Sequence, residues 1–335
     1  MSNNNEILIY TEITPEFKIA PVVFELARAG KHLKEGFNAL AKDSKLCAVV
    51  VNKCGDYSAI LAQLANAGFQ KAYLIKNDNY KNYSTELYTN AISELIKEIS
   101  PSVMLFGATR LGRDLAPRIS ARLNFGLTAD CTSLDINENG QLAATRPTFG
   151  GSLMATILSK SPTQMATVRP NVFSKTEFTD NTNIEVEEKF YHTTHAIDKT
   201  ELIKYIRDLK ENGENITEAK IIVAGGMGMK NKEGFDLLAQ LAKKLNGSVG
   251  ATRKAAEAGL ADTEVQIGQT GKTVTPKLYI ACGISGAIQH VVGISGANKI
   301  LAINNDPNAP IFKNADYGIV GDAFEVIPEI INVLS

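Results

Sequence analysis

Short apolar runs alternate with longer amphipathic stretches over the first hundred residues, and that rhythm restricts the fold more than any other feature of the chain. Residues 7–11, 46–51, 72–75 and 103–107 have the length and composition of strands, and residues 21–40, 57–67 and 85–99 separate them as helices. In the first of these helices Val23, Leu26, Ala27, Leu33 and Phe37 form a candidate core stripe. Strands joined through helices pair in parallel, with helices on both faces of the sheet.

Beyond residue 107 the character changes. Arg110, Arg113 and Arg118 gather at a helix entry that follows a strand. They suit either phosphate or a partner subunit, and the sequence leaves both open. Residues 127–134, 141–145 and 153–158 are β-rich, with Gly150 and Gly151 as a turn, and 164–168 is a further short strand. Residues 173–198 are polar and without period, which predicts a connection between domains, closed by a helix over 199–212. A strand at 220–224 then runs into Gly225-Gly226-Met227-Gly228, a helix at 232–245 and a strand at 249–253. The expected fold class is α/β, with two doubly wound parallel-sheet domains over residues 1–210 and 211–335, the C-terminal one Rossmann-like.

Composition excludes several classes of function. A formal net charge of -1 gives no basic field for nucleic acid or an acidic membrane. No apolar run approaches the roughly 18 residues of a membrane span, so membrane insertion is not expected. Residues 1–10 lack a signal or transit pattern, and a cytoplasmic location is expected. Cys47, Cys54, Cys131 and Cys282 form no Cys-x-x-Cys pair, which argues against an iron–sulfur cluster. His192 and His195 have no cysteine or acidic cluster beside them, so a zinc site is not expected either.

The densest chemistry lies between Val265 and Val292. Two glycine-bearing turns flank the apolar run 278–284, and the second opens into residues with helical character. Ser285 is a candidate N-cap there, which would aim free N–H groups at a phosphate. Gln289 and His290 would stand in the first turns. Two familiar motifs fail: Asn231 stands where a dinucleotide fingerprint needs its third glycine, and Gln266 where a P-loop needs its first. No nucleophile–base pair is evident. Arg253, Gln269, Thr270, Ser285, Gln289, His290, Asn304 and Asp322 all fall at or just past predicted strand ends, the edge where such sheets bind ligands. Groups of this kind tune a redox cofactor by hydrogen bonds and charge.

Longer motifs carry a resemblance over nearly the whole chain. Gly-Gln-Thr-Gly-Lys at 268–272, Gly-Ile-Ser-Gly-Ala-Ile-Gln-His at 283–290, Ala-Ile-Asn-Asn-Asp-Pro-Asn-Ala-Pro-Ile-Phe at 302–312 and Ala-Asp-Tyr-Gly-Ile-Val-Gly-Asp at 315–322 resemble the α subunit of electron transfer flavoproteins. So do Gly-Ala-Thr-Arg-Leu-Gly-Arg-Asp-Leu-Ala-Pro-Arg at 107–118 and Gly-Leu-Thr-Ala-Asp-Cys-Thr at 126–132.

The resemblance implies a heterodimer with an electron transfer flavoprotein β subunit, and FAD held mainly by the second domain. It further implies Arg253 over the isoalloxazine ring, favouring its anionic forms. Thr270 would bond N5, with Gln269 and Gly271 in the same turn, and His290 would stand near O2. Ser285, Gly286, Ala287, Ile288 and Gln289 would cradle the pyrophosphate, with Ile284 also at the cofactor, and Asn304 and Asp322 would hold the adenosine half. The alternatives are that Asn304 and Asp322 only cap turns and that His290 is a satisfied core histidine. Met227 departs from the arginine that the resemblance leads one to expect in its turn. The implied role is an electron carrier serving an acyl-CoA dehydrogenase. The alternative within the family is a bifurcating complex that oxidises NADH and also reduces a ferredoxin or flavodoxin. A self-contained enzyme or a non-redox nucleotide-binding protein is the alternative of another class.

Overall fold

A computed structural model describes residues 4–53, 55–148, 153–181, 183–191, 203, 216–217 and 219–334. Cys54, the expected turn at Gly150 and Gly151, His192, His195 and the expected helix at 199–212 lie outside the described residues. The described residues up to 203 form one compact unit, and those from 216 onward a second.

The first unit contains β1 (Asn4–Tyr10), α1 (Pro21–Ala39), β2 (Lys45–Asn52), α2 (Ser58–Asn66), β3 (Lys71–Lys76), α3 (Thr85–Ile99), β4 (Pro101–Gly107) and α4 (Arg110–Leu123). β5 (Leu127–Cys131), β6 (Ser133–Ile136), β7 (Leu142–Thr148), β8 (Leu153–Leu158), β9 (Gln164–Val168) and β10 (Glu185–Lys189) follow. A parallel sheet runs in the order β10-β3-β2-β1-β4-β9-β5. The period of two along β1 sorts its side chains. Ile7 and Ile9 pack with Val23, Leu26 and Leu33 of α1, while Leu8 and Tyr10 pack with Ile92 of α3 and Leu115 of α4. Both faces are covered, so β4 is buried along its whole length. Each fully buried Leu or Ile contributes about 1.5–3 kcal/mol through lost apolar exposure.

Two features depart from the expected plan. Part of the polar stretch read as a connection is β10, an edge strand paired in parallel with β3. Charge holds it: Lys71 meets Glu185 at 3.1 Å and Glu187 at 2.7 Å, Lys189 meets Glu98 at 2.5 Å, and Lys76 pairs with Glu188. An exposed strand of this kind carries no apolar period to betray it. The second feature is a small antiparallel sheet, β6-β7-β8. Leu134, Leu142 and Ala144 anchor it to the core, whereas β8 leaves Leu153 and Met154 59% and 58% exposed.

The second unit comprises β11 (Ile221–Gly225), α5 (Lys232–Lys244), β12 (Ser248–Thr252), α6 (Arg253–Glu257), β13 (Gln266–Ile267) and β14 (Leu278–Cys282). It ends with α7 (Ile288–Val291), β15 (Ile300–Asn304), β16 (Tyr317–Val320) and α8 (Ala323–Val333). Its parallel order is β13-β12-β11-β14-β15-β16, the sequence of strands that defines a Rossmann sheet. The apolar run at 278–284 stops being strand at Cys282 because Gly283 turns left-handed, with φ +59.

Candidate functional site

The carboxyl ends of β11, β12, β14 and β15 open onto one cleft of about 820 Å³. It lies where the strand order reverses, because the chain builds outward from β11 through β12 on one side and later places β14 on the other.

Glycine turns make its floor. The Gly226 N–H donates to the Cys282 carbonyl and the Gly228 N–H to the Gly283 carbonyl, both at 3.0 Å. A Cβ on Gly226 would stand 2.2 Å from the Gly283 oxygen, so these residues are glycine for backbone contact. Beyond them, the Ser285 carbonyl accepts from Ile311 N–H at 3.0 Å and Gly286 sits at φ +88. That conformation keeps Ser285 from capping a helix. α7 begins only at Ile288, with Ala287 in the cap position and no side-chain cap. The expectation for Ser285 is therefore corrected, and a four-residue helix supplies little dipole. Among the described residues, the N–H groups of Ile284, Ser285, Gly286 and Ala287 donate to no protein acceptor. Ile284, Ser285 and Ala287 line the cleft. A run of unspent N–H groups of this kind receives an anion.

The opposite wall is the loop after β13. Gln269 N–H donates to the Gln289 carbonyl at 2.7 Å and so ties this loop to α7. Thr270 Oγ1 accepts from Gln266 Nε2 at 3.1 Å, which leaves its own O–H to donate. Gly271 closes the turn through its N–H to the Gly268 carbonyl at 3.1 Å, behind the lining. Arg253, expected as the last residue of a strand over 249–253, instead opens α6, because β12 ends at Thr252. Its Nε reaches Glu257 Oε1 at 2.7 Å, and both residues line the cleft with well-exposed side chains.

His290 is 6% exposed and fully partnered. Its Nδ1 lies 3.1 Å from the Ile267 carbonyl and its Nε2 2.9 Å from the Tyr279 hydroxyl. Burial lowers its pKa to about 4, partly opposed by the bond to Ile267. The ring is thus neutral near pH 7, with Nδ1–H donating to the carbonyl and Nε2 accepting from tyrosine. Asn304 is spent as well: its Nδ2 donates to the Ile284 carbonyl at 2.9 Å and its Oδ1 accepts from Asp306 N–H at 3.0 Å.

The cleft thus brings together Arg253, Gln269, Thr270, Ile284, Ser285, Ala287, Gln289, His290 and Asn304. Gly271, Gly286, Ile288 and Asp322 stand outside its lining. Asp322 caps α8 through Phe324 N–H at 2.9 Å and meets Lys230 at 3.5 Å, while Ile288 is 58% exposed. Glu257, Lys254 and Asp306 are lining residues that the sequence reading missed. For Glu257 a signal existed, since it follows Arg253 by four positions in a stretch able to form one helical turn.

The free N–H run, the open volume and the single arginine fit a nucleotide cofactor with an electron-accepting ring. Comparison with known proteins agrees. The electron transfer flavoprotein domain matches residues 7–190, and the electron transfer flavoprotein FAD-binding domain matches residues 215–295. The chain is 53% identical over 271 residues to the electron transfer flavoprotein subunit alpha of Thermoanaerobacterium thermosaccharolyticum, covering 80% of this chain and 81% of that one. It is 51% identical over 273 residues to the protein FixB of Clostridium saccharobutylicum, with 81% of each chain covered. With the electron transfer flavoprotein subunit alpha of Megasphaera elsdenii it shares 42% identity over 317 residues, 93% of this chain and 91% of the other. On this evidence the chain belongs to the electron transfer flavoprotein family, as an α subunit with an FAD-binding domain.

Proposed function

We propose that this chain is the FAD-bearing half of a heterodimeric electron carrier that exchanges electrons with an acyl-CoA dehydrogenase. The observation that carries the reading is the pairing, in one cleft, of unspent N–H groups at Ile284, Ser285 and Ala287 with Arg253. When bound, FAD supplies a ring that accepts and returns electrons. The protein's own part is binding and electrostatics. The N–H groups of residues 284–287 receive the pyrophosphate, and Thr270 offers its hydroxyl proton to the ring. Arg253 favours added negative charge on it. His290 contributes a neutral surface, and Asn304 acts through the backbone it holds in place.

Residues 211–335 form the flavin domain on this reading, and residues 1–210 the scaffold and the β-subunit interface. The exposed apolar edge strand β8 supports the second assignment, since an edge this apolar calls for a cover.

The test is the flavin content and reductive titration of the chain copurified with its β subunit. The expected outcome is one FAD per heterodimer, reduced by an acyl-CoA dehydrogenase and its substrate. Absence of flavin after reconstitution overturns the proposal, and two FAD with direct reduction by NADH replaces it with bifurcation. Arg253→Ala is expected to lower the flavin potential markedly, and an unchanged potential removes Arg253 from its role.

A further inference from the structure

The first unit has a cleft of its own, of about 1040 Å³, that the carrier function leaves unused. It sits beyond the carboxyl ends of β1, β2 and β4. Here too the strand order reverses, with β2 on one side of β1 and β4 on the other. Doubly wound sheets place ligands at that crevice. The volume is that of a site for a ligand of nucleotide size.

Its lining separates into rings and cations. Phe17 holds φ +59, a conformation that bulky side chains rarely adopt, and its ring meets Tyr57 edge-on at 5.4 Å. Tyr83 supplies another ring, fixed by its hydroxyl to Asp114 at 2.7 Å. The cations are Lys53, Lys81 and Arg110. Of the arginines in the 110–118 motif, Arg113 meets Asp130 at 3.5 Å and Arg118 meets Glu86 at 3.3 Å. Among the described residues Arg110 has no ion-pair partner, nor have Lys53 and Lys81. Asp56 is the acid of the lining, and it is engaged in starting α2, accepting from Ser58 N–H at 2.9 Å. The cleft therefore offers flat apolar faces beside an excess of uncommitted positive charge.

We propose that this cleft binds a nucleoside phosphate, with its base on the rings of Phe17 and Tyr83, the buried Tyr57 backing Phe17 from behind, and its phosphates on Lys53, Lys81 and Arg110. This is a site distinct from the flavin cleft, and it gives Arg110 the phosphate role that its motif left open. Base–aromatic stacking and charge-assisted bonds are the interactions such a ligand needs.

The experiment uses the FAD-loaded complex with its β subunit. ADP binding is followed by equilibrium dialysis, and the site by photolabelling with 8-azido-ADP and peptide mapping. ADP is expected to bind without displacing FAD and to label peptides carrying Phe17, Tyr57 or Tyr83. The double substitution Lys81→Ala with Arg110→Ala should weaken it by roughly 10–100-fold, as loss of charge-assisted bonds does, with flavin content unchanged. Phe17→Asn tolerates the positive φ and should weaken ADP while leaving inorganic tripolyphosphate unaffected. Failure of ADP to bind, label confined to the flavin cleft or the β subunit, or tripolyphosphate binding as tightly as ADP would each overturn the proposal. None of these outcomes depends on whether the second cleft carries electrons.

Discussion

The two units place a cleft at the same topological position and finish it differently. In the second unit the crossing is built of glycines in backbone contact, Gly226 and Gly228 against Gly283, and the adjoining N–H groups are left unspent. In the first unit the crossing is walled by tyrosines, and its positive charge comes from side chains. Topology selects where a ligand goes, and the local chain selects what kind of group receives it.

The largest contrast should come from filling a glycine. Gly226→Val drives a side chain into the Gly283 carbonyl, a clash that costs more than about 3 kcal/mol if the turn is to hold. Purified complex should then lack flavin absorbance. Flavin retained at the wild-type level would mean the glycine contact does not shape the cleft.

The units should also respond to pH with opposite sign. Glu25 of the first unit accepts from Asn171 N–H at 2.6 Å, and burial raises its pKa from 4.5 to about 7. The folded state binds that proton more tightly than the unfolded chain, so stability is full below 4.5 and is lost as pH rises through 7. His290 of the second unit is lowered from 6.5 to about 4, so its contribution is present above 6.5 and is lost as pH falls through 4. Each effect is at most on the order of 3 kcal/mol. Hydrogen exchange resolved by unit, from pH 4 to 8, should show the two trends, with Glu25→Gln flattening one and His290→Gln the other. Parallel trends in both units would refute the assignment.

Asn304→Ala removes two bonds at once, one of them buried, and should destabilise the second unit by about 1–3 kcal/mol. FAD affinity should fall with it, although the side chain need not touch the cofactor. A titration that finds stability reduced and FAD affinity intact would separate the residue from the cleft. The smallest effect belongs to Glu257→Gln, which frees Arg253 of its ion pair. An exposed pair of this kind is worth about 0.2–1 kcal/mol. The flavin potential should rise by roughly 5–20 mV on the two-electron scale, and a fall would show that the carboxylate does not oppose the arginine.

Much of this plan was legible before any coordinates. The apolar rhythm of residues 7–107 gave strands and helices near their true bounds, since a parallel sheet covered on both faces demands continuous apolar runs. Strand β10 escaped because ion pairs rather than burial hold it at the edge. The cap assigned to Ser285 failed for a different reason: Gly286 and Ile311 fix that turn, and Ile311 is far away in sequence. Arg253 and Thr270 were readable from their place at strand ends. That Asn304 caps a turn and His290 is a satisfied core histidine stood only as alternatives in the sequence, and the partners that decide it were not readable, because they come from other strands and loops.

The bond from Gln269 N–H to the Gln289 carbonyl has one more consequence. A Cβ on Gly268 would stand 2.7 Å from that same carbonyl, and one on Gly293 2.5 Å from the Gly268 nitrogen. The loop after β13 and the turn around α7 therefore interlock at the level of backbone. Neither can drift in sequence alone: an insertion in one demands a matching change in the other, so residues 267–271 and 287–293 should be inherited, and engineered, as a single block.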